Sequence, residues 1–364
     1  MPTLFAGGSE RQVRYIIEGI EKAELNVIVL VENGSREDEH NKSFILAHKK
    51  VKFFFFEQQM FSEADKNKVN KLKSLSFIAF WILRNGKREN VKWAMFTNLT
   101  GLALVPICRS MKIKVLFNER NPGIKMCNNP AKRICLKMCN KVVSNSKSAS
   151  AYMSKILKRK VECINNGLEV PESISNQEKI GIFTILVPAR ITKIKNQMLV
   201  VKAICILQGK LEFKVMFAGQ AEDDKYVSEI KEYIRKYKLE EHVSLLGYVS
   251  DMRKLYNMAS LIILPSYEEG TPNVILEAYM YRKLCLASDI VMNRDIACDS
   301  RILFDMNNPE KLAEKIMWIK GLDESKKTEM IETNYQFVRN NYNLSVMQCK
   351  YIEVFSCKKS EAEN

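Results

Sequence analysis

Leu261-Ile262-Ile263-Leu264-Pro265-Ser266-Tyr267-Glu268-Glu269-Gly270-Thr271-Pro272-Asn273-Val274-Ile275-Leu276-Glu277 is the stretch on which the fold turns. Four apolar, β-rich residues in a row suit a strand buried on both faces, and Pro265 ends the run. Pro272 suits the first turn of a helix, where its missing N–H costs nothing. A buried strand leading through a short loop into a helix is the building unit of parallel α/β sheets. The N–H groups of Thr271, Asn273 and Val274 are expected to face outward as an anion site of diphosphate size. Glu277, on the same helix, can accept from two adjacent hydroxyls, as a ribose presents them. Glu269 precedes the helix, near enough to a diphosphate to hold a sugar attached to it. Taken alone, the stretch also suits an ordinary helix start with two solvated glutamates.

Outward from this unit, apolar runs alternate with segments of helical period in both directions. Strands are predicted at Leu25–Glu32, Lys50–Phe56, Val91–Thr97, Lys112–Asn118, Lys141–Ser144 and Lys160–Asn165. The second half continues with Ile182–Pro188, Phe213–Ala218, Val243–Leu246, Leu261–Leu264 and Leu284–Ala287. Helices are predicted between them, among others at Glu10–Lys22, Lys68–Arg84 and Ala131–Cys139. The alternation implies an α/β chain of two Rossmann-like, doubly wound parallel-sheet domains with a hinge near Asn166–Asn176. We expect domains at 1–168 and 169–342, with 343–364 as a final helix and tail. Ligands of such sheets bind beyond the carboxyl ends of the strands, here in a cleft between the domains. One end is irregular: only Pro2–Ala6 remains for an opening strand, so the sequence is expected to begin inside or just after it, a naturally abbreviated strand being the alternative.

Charge is distributed unevenly. Residues 1–165 carry 30 basic and 14 acidic side chains, a net of +16, whereas the remainder is net −1. A basic half draws in phosphates, nucleic acid or anionic lipid, although a Lys- and Asn-rich composition also produces one. No run of eighteen apolar residues or signal-peptide pattern is present, so a cytoplasmic protein is expected. The ten cysteines are scattered. Cys127, Cys135 and Cys139 cluster with a spacing that suits helix packing better than a zinc site.

Further candidates lie at other strand ends. Arg190 follows the strand Ile182–Pro188, and Lys195 comes five residues later; two cations there could neutralise a departing diphosphate, or form a solvated basic loop. Gly219 and Gly247 end two more strands, where glycine lets backbone approach a nucleotide or simply turns the chain.

With these residues in place, the chain resembles glycosyltransferase family 4, whose fold is usually called GT-B. Arg190 and Lys195 match the family's arginine–lysine pair for the donor diphosphate, and Glu269 and Glu277 its paired glutamates. Gly247-Tyr248 falls where the family holds the base. Gly7-Gly8-Ser9-Glu10-Arg11 resembles its first glycine-rich turn, with Gly8 toward the donor, and Leu344–Lys359 resembles the helix that crosses back to the first domain. Asn118-Glu119-Arg120 and Asn165-Asn166-Gly167 also fall at familiar places. The resemblance implies retaining, metal-independent transfer from a UDP- or GDP-linked sugar by front-face attack, with no cofactor. Arg190, Lys195 and Glu269 would be catalytic; Gly8, Gly247, Tyr248, Thr271, Pro272, Asn273, Val274 and Glu277 would bind the donor. Glu119 and Arg120 would stand on the acceptor side, unless they form a structural ion pair. Four features depart from the family pattern: Arg282 and Leu284 replace glycine and proline, Val291-Met292 replaces a Gly-Gly turn, Asn196 replaces a glycine, and no histidine lies in Trp93–Thr100.

Lys66, Lys68, Lys71 and Lys73 precede Phe77-Ile78-Ala79-Phe80-Trp81-Ile82-Leu83, and Arg84, Lys87 and Arg88 follow. Cations flanking an aromatic run suit a helix lying on an anionic membrane, and equally a helix buried against a sheet. We expect Lys71, Lys73, Phe77, Phe80, Trp81 and Arg84 to touch the inner face of the cell membrane, with a lipid-linked glycan of a surface polysaccharide as acceptor. A nucleic-acid role finds no zinc spacing, aromatic signature or recognition helix in its favour. A sugar-nucleotide epimerase or a non-catalytic partner of the same fold stays open.

Overall fold

A computed structural model of the chain describes residue 4 and residues 8–32, 39–55, 66–120, 127–169 and 181–356. It divides into two units, Met1–Gly167 with Leu344–Asn364, and Leu168–Asn343.

In the first unit, β1 (Ile28–Val31) and β2 (Lys52–Phe55) pair in parallel as a two-stranded sheet. β3 (Trp93–Phe96), β4 (Lys114–Glu119), β5 (Lys141–Ser144) and β6 (Glu162–Cys163) form a four-stranded parallel sheet in that order. The described strands thus fall into two sheets where one was expected. Most of the expected opening strand, Pro2–Ala6, lies outside the described residues. Leu4 is described and buried, sharing one apolar cluster with Val29 and Val31 of β1 and with Met95 of β3.

The second unit holds one six-stranded sheet. Its strands are β7 (Phe183–Pro188), β8 (Phe213–Ala218), β9 (Val243–Gly247), β10 (Leu261–Leu264), β11 (Leu284–Ser288) and β12 (Leu303–Phe304). All pair in parallel, in the order β12-β11-β10-β7-β8-β9. β10 and β11 are buried at every residue, as the unbroken apolar run implied. Side-chain caps start the covering helices: Asp223 accepts from the Tyr226 N–H, and Asn308 from that of Lys311. β5, β8 and β10 coincide with the predicted strands residue for residue, the other predicted strands differ by one to three residues at one or both ends, and β12 was not predicted.

The chain leaves the first unit at Gly167 and returns at Leu344. Helix Leu344–Ser356 packs Met347 and Tyr351 against Ile16, Leu116 and Val143. Gln348 donates to the Tyr15 carbonyl at 2.8 Å, and it passes so close to helix Gly8–Lys22 that a Cβ on Gly19 would lie 2.6 Å from its Cγ. Gln12 closes the same joint, exchanging two 2.8 Å hydrogen bonds with the Gly167 backbone. Among the described residues the cysteines are free, and burial pushes the Cys139 thiol up to about 12, which marks it as packing material.

Candidate functional site

The candidate residues of the second unit meet at the carboxyl edge of its sheet. β7 ends at Pro188, and the next peptides pass β8 so closely that Gly219 has no room for a side chain. A Cβ there would lie 2.1 Å from the Ala189 carbonyl oxygen. Gln197, fully buried, donates to the Arg190 carbonyl at 2.8 Å and fixes the backbone where the arginine emerges. The Arg190 side chain is 58% exposed and reaches both carboxylate oxygens of Glu222, at 2.8 and 2.9 Å.

A short 3-10 turn, Lys193–Lys195, follows and is stopped by Asn196 in the left-handed region, φ 52°. That backbone favours glycine, and asparagine is among the few residues that tolerate it. Asn196 also donates to the Met306 carbonyl at 2.9 Å, so this departure from the family pattern keeps the turn and adds a tie. The turn is joined to the loop after β10 by the Tyr267 N–H, which donates to the Ile194 carbonyl at 2.9 Å. Beneath that loop, Ser288 donates to the Ser266 carbonyl at 2.5 Å, and Asn293 donates to the Ser288 carbonyl at 2.8 Å. These ties bring Lys195 Nζ to 2.7 Å from Glu269 Oε1, with both side chains largely buried.

The helix after the loop spans Asn273–Met280, with Pro272 as its N-cap. Pro272 therefore stands one place before the expected first turn. The Asn273 N–H donates to the Thr271 carbonyl at 2.8 Å, so the anion site expected there is narrower than the sequence implied. Val274 lies inside the first turn and has no carbonyl four residues back within the helix to take its N–H. Tyr256, whose part the sequence did not suggest, donates to Glu277 Oε2 at 2.7 Å. On β9, Gly247 adopts φ 66° and Tyr248 is exposed. The Gly219 N–H donates to the Gly247 carbonyl at 2.8 Å, which joins the two glycine-ended strands.

The remaining candidates lie in the first unit. Gly8 is the exposed first residue of helix Gly8–Lys22. Glu119 and Arg120, at the end of β4, are both buried, Glu119 completely. Arg120 donates to Asn166 Oδ1 at 2.8 Å. Burial pushes its guanidinium down from its ordinary value, with Tyr351, Glu10 and Glu119 opposing. Buried and bonded in this way, Arg120 suits the structural role that the sequence left open beside the acceptor side. Helix Lys66–Asn85 corrects another expectation. Trp81 is only 8% exposed and packs on Phe54, ring centroids 5.3 Å apart, so it faces the core rather than a membrane. The helical period turns Ile78 and Ile82 inward with it. Phe77 is half-buried, Phe80 is 60% exposed, and Leu72, Lys73, Leu83 and Arg84 share the exposed side. The Arg84 guanidinium lies 5.8 Å from the Phe80 ring centre. The side chain of Lys71 lies outside the described residues. Within those residues no helix is long and apolar enough to cross a membrane, and no group of three or more His, Cys, Asp or Glu is placed to hold a metal ion.

A paired cation and carboxylate, a second carboxylate on the adjoining helix and glycine-ended strands thus lie together at this edge of the sheet. The chain superposes on a glycosyltransferase from Rickettsia africae with TM-score 0.75 and 21% identity, over 98% of both chains. It superposes on Anabaena HepE, solved with UDP and glucose, with TM-score 0.77 and 15% identity, again over 98% of both. The chain has the GT-B fold. Residues 172–337, nearly the whole second unit, match the family model described as glycosyl transferases group 1. A Campylobacter jejuni protein is 23% identical over 98% of this chain and 94% of its own length. Its name is GalNAc-alpha-(1->4)-GalNAc-alpha-(1->3)-diNAcBac-PP-undecaprenol alpha-1,4-N-acetyl-D-galactosaminyltransferase. With the fold, these matches support a glycosyltransferase of the GT-B type.

Proposed function

We propose that this glycosyltransferase moves a sugar, with retention at the anomeric carbon and without a metal, from a UDP- or GDP-linked donor to a lipid-linked glycan in polysaccharide assembly. The observation that carries the reading is the 2.7 Å Lys195–Glu269 pair beside the helix that bears Glu277. Negative charge develops on the departing diphosphate, where the Lys195 ammonium and the Arg190 guanidinium stabilise it. Glu269 accepts from hydroxyls of the transferred sugar, and Glu277 from those of the ribose. Tyr248, beside the left-handed Gly247, covers the base. The bond from the anomeric carbon to the diphosphate breaks as the acceptor oxygen bonds to the same face. The acceptor proton passes to the leaving diphosphate oxygen. The UDP-bound state of HepE supports the donor class, and the undecaprenol-linked substrate named for the C. jejuni relative supports the acceptor class.

The acceptor would be met at the cytoplasmic face of a membrane. Leu72, Phe80 and Leu83 lie on the exposed side of helix Lys66–Asn85 with Lys73 and Arg84, in a segment whose net charge is +16. Apolar side chains flanked by cations suit an anionic lipid interface. The test is a screen of nucleotide-sugars with membranes present, beside Glu277→Ala. One donor is consumed, labelled sugar appears in the lipid fraction, and the variant loses most of it. Donor binding with no transfer to any lipid or glycan acceptor defeats the reading.

A further inference from the structure

We infer that Tyr256 is a positioning residue that holds Glu277 for the donor's ribose and makes the site selective for ribonucleotides over their deoxy forms. The inference rests on the donor reading above. Tyr256 belongs to helix Met252–Met258, is 1% exposed, and donates its phenolic hydrogen to Glu277 Oε2 at 2.7 Å. Its ring stacks on Tyr281, with centroids 4.9 Å apart and planes 7° from parallel. Glu277 and Tyr281 stand four residues apart, at the end of helix Asn273–Met280, and therefore share one face. A single turn thus grips the phenol twice, by its ring and by its hydroxyl.

The chemical effect follows from the freedom of a carboxylate. The terminal torsion of a glutamate is broad, so an untethered Glu277 would sample many orientations toward a diol. A donor on Oε2 fixes the plane of the carboxylate, and the ordering cost is met when the protein folds rather than when the nucleotide binds. A hydrogen bond to a charged acceptor is also stronger than one between neutral groups. The tyrosine ring is needed for the stack, and its hydroxyl for the carboxylate. Tyr256→Phe separates the two.

The experiment is calorimetric titration of the intact protein with UDP and GDP, and with the 2′,3′-dideoxy form of whichever binds more tightly. Wild type, Tyr256→Phe and Glu277→Ala are compared through the ratio of ribo to dideoxy affinity. Both ligands sample the same folded molecules, so the ratio does not respond to a change in stability. We expect wild type to favour the ribonucleotide by roughly tenfold or more. Tyr256→Phe should shrink that ratio several-fold with little effect on the dideoxy ligand, and Glu277→Ala should bring it close to one. A ratio unchanged in Tyr256→Phe but collapsed in Glu277→Ala overturns the role of Tyr256 alone. So does an equal loss of both ligands in Tyr256→Phe, which is the mark of a purely structural residue. A ratio unmoved by Glu277→Ala, or no binding of either nucleotide by wild type, overturns this inference together with the donor reading.

Discussion

The carboxyl edges of the four-stranded and the six-stranded sheet use the same kinds of residue to opposite ends. At the end of β4, Glu119 and Arg120 are buried, and the arginine is bonded to Asn166. At the end of β7, Arg190 reaches into solvent, and Lys195 and Glu269 close on each other in a loop. Arg120, sunk into the first unit, ties its strand end to the loop of Asn166, whereas Arg190, exposed on the second unit's rim, can change partners when an anion arrives. Position in an open α/β sheet marks where chemistry can occur. Burial distinguishes Arg120 on the one edge from Arg190 on the other.

Four measurements probe that contrast. The largest effect is expected from Arg120→Met, which removes a buried cation and strands the groups around it, at about 3–5 kcal/mol of unfolding free energy in denaturant titration. If stability instead holds while transfer disappears, the first edge is chemical too and the contrast breaks. Lys195→Ala should lower kcat/KM roughly 10²–10³-fold in a transfer assay, with a smaller change in denaturation midpoint. The second unit has a buried cation of its own. Lys283 donates to the Asn257 carbonyl at 2.8 Å, and burial pushes its ammonium down from 10.5 to about 8. Between those values the unfolded chain binds the extra proton, so stability rises with pH across that window, by at most about 3 kcal/mol. Lys283→Met should flatten the rise in unfolding curves and be the more stable protein at pH 7. The smallest effect concerns Arg282, which sits at φ 54° with its guanidinium 3.8 Å from the Tyr335 ring centre and paired with Glu332. Arg282→Gly should be about 1 kcal/mol more stable than Arg282→Ala, because alanine loses the same contacts and keeps the backbone strain.

The second unit was the more legible in sequence, and the reason is physical. β10 is apolar at every position because both faces are covered, so its run announces itself without a partner. Arg190, Lys195, Glu269 and Glu277 were visible because strand ends and helix starts leave local marks. Asn196 and Arg282 stand where the family pattern has glycine, and both prove to occupy left-handed backbone. What was not legible is the pairing of side chains far apart in the chain. Lys195 and Glu269 are separated by 74 residues, and only the folded loops bring them together. The inward turn of Trp81 was missed because a seven-residue apolar run hides which side of the helix is covered. Tyr256 left one faint sign, the four-residue spacing of Glu277 and Tyr281 on a common helix face.

Helix Leu344–Ser356 has a consequence for how the protein is made. Its Met347 and Tyr351 complete the core around Ile16, Leu116 and Val143, so the unit that the ribosome begins first is finished last. The intervening unit is one continuous segment and can reach its native state while the final helix is still being synthesised. Until Leu344 and its neighbours emerge, Ile16 and Leu116 lack the cover they have in the finished protein. The more basic half of the molecule therefore passes through synthesis with an apolar face open, at the stage when a chaperone or a neighbouring chain can most easily reach it.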